Sequence, residues 1–244
     1  MSDSLYSRRE LISGLAVTSM AATQIATAAE TAAASSAPPA FRGQHVIQPL
    51  PFNAGKLTGL SEKLLVSHHD NNYGGAVNNL NRVEQELARI NKDTPAFLVG
   101  GLRQSELTFH NSMTLHEAYF GNLGGSGKAS GAIATALSTA YGSLDTWELH
   151  FRSIGASLGG GSGWTLLSYE LLSGELRTYG ANHHTQSLNT ALPLLVMDMY
   201  EHSYQMDYGS AAARYIDAFF NNIQWDAVNQ RYELALKLRR QLTA

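Results

Sequence analysis

An aspartate and a histidine four positions apart follow a short apolar run in the C-terminal half of the chain. The run from Leu192 to Met197 has the composition of a buried strand, with a proline near its start. Asp198 ends this run and His202 lies one helical turn beyond it, so the two side chains can share one face of a turn. Carboxylates and neutral imidazoles are ligands of first-row metal ions. The pair alone indicates a metal site only weakly, because the same spacing also suits a hydrogen bond along a helix.

The residues around this pair resemble a known family signature. DMYEH followed by SYQMDY, residues 198–208, resembles the DVWEH and AYxxDY motifs of the iron/manganese superoxide dismutases. Three more segments are similar to that family and occur in its order: LHEAYF (115–120), GGSGW (160–164) and QWDAV (224–228). The resemblance extends over residues 57–232. Several motifs in one order are far more specific than any one of them.

The resemblance implies four metal ligands and an antioxidant activity. Asp198 and His202 match the C-terminal motif directly, His116 matches the histidine before the aromatic pair, and His68 is aligned through the Asn-Leu-Asn at 79–81. One iron or manganese ion per subunit is implied, with superoxide as the substrate and dioxygen and hydrogen peroxide as the products. The ligand types do not separate iron from manganese, because both metals accept this set.

The resemblance also assigns roles to residues around the metal. Trp164 and Tyr119 are expected to form an apolar wall beside it, and Tyr200 occupies the tryptophan position of DVWEH. Glu201 is expected to cross a two-fold axis and accept a hydrogen bond from the partner's ligand histidine, which predicts a homodimer. Asn72 stands at the position of a histidine that is reached across the dimer by a tyrosine in the family, and that tyrosine is also replaced, near Gln205.

The expected entrance departs from the family pattern. Asn71, Asn72, Tyr73 and Ala76 replace a lysine, paired histidines and a tyrosine, so the usual substrate gate and its positive charge are not expected here. Either lower activity or a differently built entrance would follow. The family glutamine that hydrogen-bonds the metal-bound solvent is also missing.

Two positions could have carried that glutamine. One of them is Ser112, whose side chain is too short to reach. The other falls in the loop after the hairpin, and we predict that His183 acts there in catalysis, with His184 as the alternative if the loop shifts by one residue.

Composition and the N-terminal segment limit the remaining possibilities. The 244 residues contain no cysteine and carry a formal charge of −3, which excludes disulfides and thiolate sites and argues against nucleic acid as a partner. Paired arginines at 8–9, a weakly apolar stretch and Ala-Thr-Ala at 26–28 predict a twin-arginine signal peptide over residues 1–28. Its partner is then the export machinery, and the protein is expected to be periplasmic or otherwise extracytoplasmic. The segment is too short and polar for a stable membrane span. An ordinary polar N-terminus is the alternative.

Hydrophobic periodicity predicts an α+β protein. A linker over 29–45 precedes an N-terminal helical hairpin domain, residues 46–128, with helices over 61–90 and 104–120. A C-terminal α+β domain, residues 129–244, follows and contains a small three-stranded antiparallel sheet formed by 164–169, 175–179 and 192–197. Four further helices are predicted in it, over 132–140, 144–158, 211–222 and 226–242.

Two other functions remain open. A metal-binding protein of the same fold with little turnover would keep the ligands but lack a residue that contacts the bound solvent. An oxygenase-like iron enzyme also uses histidine and carboxylate ligands, but four protein ligands leave it too few open positions.

Overall fold

A computed structural model describes residues 37–243 of the chain. The predicted signal peptide, 1–28, and the first part of the predicted linker, 29–36, lie outside the described residues. In chain order the helices are α1 (Glu62–Ser67), α2 (Gly74–Leu87), α3 (Ala96–Gly121), α4 (Gly131–Tyr141), α5 (Leu144–Leu158), α6 (Gln205–Tyr208), α7 (Ala212–Asn221) and α8 (Trp225–Leu242). The strands are β1 (Trp164–Glu170), β2 (Leu176–Ala181) and β3 (Ala191–Asp198).

The described residues fall into two compact units. The smaller comprises 37–44 and 81–103, and the larger comprises 45–80 and 104–243. In the smaller unit, the backbone N–H of Gly43 donates to the carboxylate of Glu84 at 2.8 Å, and the Arg103 guanidinium lies over the Phe41 ring. The larger unit contains the sheet and every candidate site residue. The domain limits expected from the sequence stay a prediction.

The first predicted helix, 61–90, is not continuous. Ser61 caps α1 by accepting a hydrogen bond from the Leu64 N–H at 3.1 Å. A six-residue π-helical segment, His68–Tyr73, then separates α1 from α2. Such segments insert extra backbone into a helical path and often occur at functional sites. The helical path is therefore irregular in the turn that precedes the glycine pair 74–75.

The second predicted helix begins earlier than expected. It was predicted from 104, but α3 starts at Ala96, directly after Pro95. A proline fits the start of a helix because the first turn leaves its N–H groups unpaired. The uneven apolar pattern of 96–103, with Gly100 and Gly101 inside it, concealed this beginning.

The three-stranded antiparallel sheet is confirmed. Its order is β2-β1-β3, and β1 pairs antiparallel with both neighbours. The first residue of β1, Trp164, pairs with the last residue of β3, Asp198, so both lie at the same end of the sheet. Gly174, with a φ of +77°, supplies the left-handed position in the turn between β1 and β2.

The helix that carries one predicted ligand is tied to the sheet by a buried amide. The Asn122 side chain accepts a hydrogen bond from the Val196 N–H at 2.9 Å and donates to the Val196 carbonyl at 3.1 Å. This pairing fixes the end of α3 against β3, two residues before Asp198. On the other side, α5 packs against β1 and β2, and α8 packs against β3. Among the described residues, no helix combines the length and apolar character needed to cross a membrane.

Candidate metal centre

Four side chains from three parts of the larger unit converge at the end of β3. One ligand atom from each lies within 4.8 Å of the other three, and three of the four residues are buried. We call this group the ligand cluster; it consists of His68, His116, Asp198 and His202. The structure thus brings together all four residues that the sequence singled out as ligands.

A single carboxylate oxygen is the centre of the cluster. Asp198 Oδ2 lies 3.1 Å from His68 Nε2, 3.3 Å from His202 Nε2 and 3.5 Å from His116 Nε2. Ligands bound at about 2.0–2.2 Å to one ion are separated by distances of this size. The four groups are therefore spaced to hold one metal ion.

Backbone and side-chain hydrogen bonds hold Asp198 in place. Its second carboxylate oxygen, Oδ1, accepts the Tyr200 N–H at 2.8 Å. Its carbonyl accepts from the Tyr215 hydroxyl at 2.7 Å and lies 2.9 Å from the Ser203 hydroxyl. No sequence pattern marked Tyr215, because its contact joins α7 to the end of β3 across the fold. These bonds leave Oδ2 to face the imidazoles.

The tautomer of His116 is set by its own helix. Its Nδ1–H donates to the Ser112 carbonyl at 2.7 Å, one turn earlier in α3. Because a neutral imidazole carries one hydrogen, the lone pair lies on Nε2. That atom is buried and has no hydrogen-bond partner in the described part of the chain. A buried polar atom without a partner is costly, and a metal ion would satisfy it.

The π-helical segment separates two neighbouring histidines. His68, its first residue, is 1% exposed and faces the ligand cluster. His69 instead places Nε2 2.8 Å from the Gln48 carbonyl and Nδ1 2.7 Å from Asp70. Only one of the pair can therefore serve the metal centre.

The charge states of the cluster suit a metal cation. Burial lowers the pKa of His116 to about 3 and also lowers the pKa of His68, so both imidazoles are neutral at pH 7. Burial alone would raise the pKa of Asp198, but the close contacts of its carboxylate with His202 and His68 outweigh burial and hold this pKa well below its ordinary value. The cluster offers three lone-pair donors and one negative charge.

Aromatic rings surround the cluster. The Trp164 ring lies 5.1 Å from that of His116, while Tyr119 and Phe120 lie 5.2 and 5.0 Å from His68, measured between ring centroids. Trp164 and Tyr119 are fully buried. Such a wall limits the access of water to the site. Trp225 belongs to another part of the core, where it packs edge-on against Trp147 at 5.6 Å.

The structure corrects the expectation for His183. Its side chain is exposed, and Nδ1 lies 3.0 Å from the Thr185 hydroxyl. The half-buried histidine that turns towards the cluster is His184, the alternative position. Which of these two adjacent histidines faces inward depends on how the loop after β2 turns. The amino-acid sequence alone does not determine that turn.

Two aromatic neighbours orient His184. The Trp164 indole N–H, which can only donate, lies 3.0 Å from His184 Nδ1. The Tyr200 ring stacks on the imidazole at 4.8 Å with an angle of 9°, and stacks in turn on His202 at 5.4 Å. Burial lowers the pKa of His184 to about 4, so the ring is neutral at pH 7. Its hydrogen must then reside on Nε2, and no described residue accepts it.

A cavity of about 260 Å³ opens onto the ligand cluster. His116, His184 and His202 line its inner end. One side, which we call the cavity wall, is formed by Asn71, Asn72, Gly75, Ala76 and Asn79. Among the described residues that line the cavity, none is a lysine, arginine, aspartate or glutamate.

Two further residues singled out in the sequence lie at the edge of the site. Asn72 belongs to the cavity wall. Glu201 is exposed, beside His202 in a short 3₁₀ turn, Glu201–Ser203. Its predicted contact with a partner subunit is not tested by a single chain.

Comparisons with known proteins find a matching family and several similar proteins. Residues 129–231 match the family described as iron/manganese superoxide dismutases, C-terminal domain. The "Superoxide dismutase [Fe]" of Cupriavidus metallidurans is 47% identical over 192 residues, covering 78% of this chain and 98% of the relative. That of Aquifex aeolicus is 33% identical, with 80% and 95% covered. The "Superoxide dismutase [Mn] 2" of Haloferax volcanii is 34% identical, with 79% and 97% covered.

Proposed function

Because this chain belongs to the iron/manganese superoxide dismutase family, we propose that it converts two superoxide ions and two protons into dioxygen and hydrogen peroxide. One iron or manganese ion per subunit serves this reaction. The observation that carries the proposal is the convergence of three imidazole nitrogens on one buried carboxylate oxygen, at 3.1–3.5 Å.

When bound, the ion supplies the one-electron chemistry, accepting an electron from one superoxide and giving one to the next. The protein positions the ion and the reactants. His68, His116 and His202 would contribute imidazole nitrogens, and Asp198 would contribute one negative charge that offsets part of the cation's charge. The aromatic wall leaves the cavity as the route by which superoxide and protons arrive.

His184 is the residue best placed to act on the reactants. Trp164 occupies its Nδ1, so the hydrogen on Nε2 is available to a superoxide ion or water at the inner end of the cavity. A neutral donor that stabilises developing negative charge on peroxide favours the half-reaction that consumes protons. The hydroxyl of Ser112, 3.4 Å from His116 Nδ1, does not supply this contact.

Metal analysis and a superoxide assay on one purified sample test the proposal. We expect about one iron or manganese ion per subunit and superoxide consumption that is lost when a chelator removes the metal. Readdition of each metal separately identifies which one supports turnover. A fully metallated protein without superoxide consumption would contradict the enzymatic proposal and leave the metal-binding function.

We also propose a homodimer in which Glu201 accepts a hydrogen bond from the partner's ligand histidine. The support is its exposure beside His202, whose side chain is 27% exposed on the same turn. Glu201→Gln should weaken both the dimer and the metal site, whereas Glu233→Gln, an exposed change on α8, should affect neither. Light scattering and metal content measure the two effects. A wild-type protein that is monomeric and fully active would contradict the proposal.

A twin-arginine signal over residues 1–28 and an extracytoplasmic location remain part of the proposal. The paired arginines, the weakly apolar stretch and the small residues at 26–28 support them. Changing Arg8 and Arg9 to lysine together should retain the protein inside the cell, which fractionation measures. The same export with the arginines changed would contradict it.

A further inference from the structure

The cavity above the ligand cluster is larger than superoxide requires. A water molecule occupies about 30 Å³ of liquid, and superoxide has only two heavy atoms, whereas the cavity measures about 260 Å³. Its size approaches the lower end of small-molecule sites. The unused space lies along the cavity wall, where a glycine and an alanine stand side by side.

Gly75 shows that this space is open. A Cβ atom built on it would meet no other atom within 4 Å. Gly75 lies in the first turn of α2 and lines the cavity, next to Ala76. The helix therefore presents two small residues to the cavity at a point where larger side chains would fit.

The cavity has a polar and an apolar part. The side-chain amides of Asn72 and Asn79 line it and make no hydrogen bond to another described residue, so their N–H groups are available to a ligand. Phe109 adds an aromatic surface to the same cavity. A ligand with an oxygen-bearing head and a short apolar tail satisfies both parts.

The charge at the inner end selects an anion. With an ion of charge +2 or +3, the single carboxylate of the ligand cluster leaves +1 or +2, and no acidic side chain among the described lining residues offsets it. A carboxylate oxygen is also an ordinary ligand for such an ion.

We infer that the cavity is a binding site for a small organic carboxylate with a short apolar tail. The carboxylate reaches the metal centre and the neighbouring amides, and the tail occupies the space beside Gly75 and Ala76. This inference rests on the proposed function, because the metal ion supplies the positive charge.

The test uses the complete iron-loaded protein and two probes of different size. Benzoate and azide are titrated while the visible absorption of the iron is followed. We expect saturable changes with both anions and competition between them, since both need the inner end of the cavity. Metal-free protein should bind benzoate at least about tenfold more weakly, a difference that corresponds to about 1.4 kcal/mol.

A larger side chain at position 75 would fill the open space and so distinguish the contribution of the apolar tail to the affinity from that of the anionic head. Gly75→Leu should lower the affinity for benzoate by about tenfold or more, while the affinity for azide changes by less than about twofold. Leucine is a better helix former than glycine, so α2 is retained. Gly100→Leu is the matched control, because Gly100 is also a helical glycine with open space around its Cβ position and does not line the cavity. It should change neither affinity.

The outcomes distinguish this inference from the proposed function. A metallated, active protein whose spectrum and azide affinity are unchanged by benzoate would overturn the inference alone. So would equal binding of benzoate to metal-free protein, or an unchanged benzoate affinity in Gly75→Leu. A protein that takes up neither iron nor manganese would overturn the proposed function and this inference with it. The wild-type titration gives an answer even if a variant does not fold.

Discussion

The ligand cluster and the cavity wall belong to one site but consist of different types of residue. Three of the four cluster residues are buried, and hydrogen bonds hold two of its atoms: Asp198 Oδ1 accepts from the Tyr200 N–H, and His116 Nδ1–H donates to the Ser112 carbonyl. The wall consists of amides and small residues, and the side chains of Asn72 and Asn79 contact no hydrogen-bonding partner among the described residues. Metal coordination restricts the ligand cluster to a few residue types. The cavity wall, in contrast, only has to leave space through which the substrate can enter.

The largest effect is expected from the aspartate at the centre of the cluster. Asp198→Ala removes the only negative charge among the ligands and the oxygen on which the three imidazoles converge. Loss of residues that merely support ligands costs about 10–100-fold in metal affinity, so loss of this ligand should exceed about 100-fold and abolish turnover. Metal content after dialysis measures it. Asp93→Ala, an exposed loop carboxylate, is the control. Full metal occupancy in Asp198→Ala would break the assignment of the cluster.

A smaller effect on turnover is expected from His184, which lies between the ligand cluster and the cavity wall. His184→Ala should keep the metal but reduce turnover by about 10–100-fold, because it removes the donor at the inner end of the cavity. His183→Ala provides the comparison, since the neighbouring ring is exposed and should leave turnover nearly unchanged. Steady-state superoxide consumption at equal metal content is the measurement. The reverse result would restore the original prediction for His183.

The indole that orients this histidine should matter less. Trp164→Phe keeps a buried ring but removes the N–H that donates to His184 Nδ1. We expect turnover to fall by about tenfold or less, since the imidazole remains but loses its fixed tautomer. Trp147→Phe is matched to it, because the Trp147 indole is equally buried and donates to Thr178 at 3.2 Å, away from the cluster. If both variants lost turnover equally, the effect would be one of stability and not of orientation.

The smallest effects compare two glycines in helices. Gly75→Ala, in the cavity wall, places a methyl group in open space and should stabilise the fold by about 0.5–1 kcal/mol. Gly155→Ala, in α5 against the sheet, places it 2.5 Å from Met197 Cε and 3.2 Å from Ile216 Cδ1. Overpacking of this kind costs about 1–3 kcal/mol. Urea unfolding of the two variants measures the difference. Equal stabilities would show that the wall is as closely packed as the core.

The sequence predicted the buried side of the site better than the open side. The strand that ends at Asp198 follows from its apolar run and the Asp198–His202 pair from its spacing, whereas His68 and His116 were identified through the resemblance to the family. The strands at 164–170, 176–181 and 191–198 also fall close to their predicted limits, because apolar runs bounded by turn residues mark them.

Features that depend on the local path of the backbone could not be predicted from residue types and periodicity. The π-helical segment at His68–Tyr73 has no distinct residue signature, and the choice between His183 and His184 depends on how one loop turns. The open space beside Gly75 exists because no side chain from elsewhere in the fold packs against it, and the sequence does not show which distant side chains will do so. Tyr215 was missed for a related reason, since its hydroxyl reaches Asp198 from an element seventeen residues later in the chain.

Because the ligands are far apart along the chain, they are added at different times during protein synthesis. His68 and Asp198 lie 130 residues apart but touch in the folded protein. At a synthesis rate of roughly 5–20 residues per second, roughly 7–26 s pass between the addition of His68 and that of Asp198. During this interval a growing chain carries histidines without their carboxylate. A nascent chain therefore cannot form the complete site until Asp198 and His202 have been added and the last strand has paired.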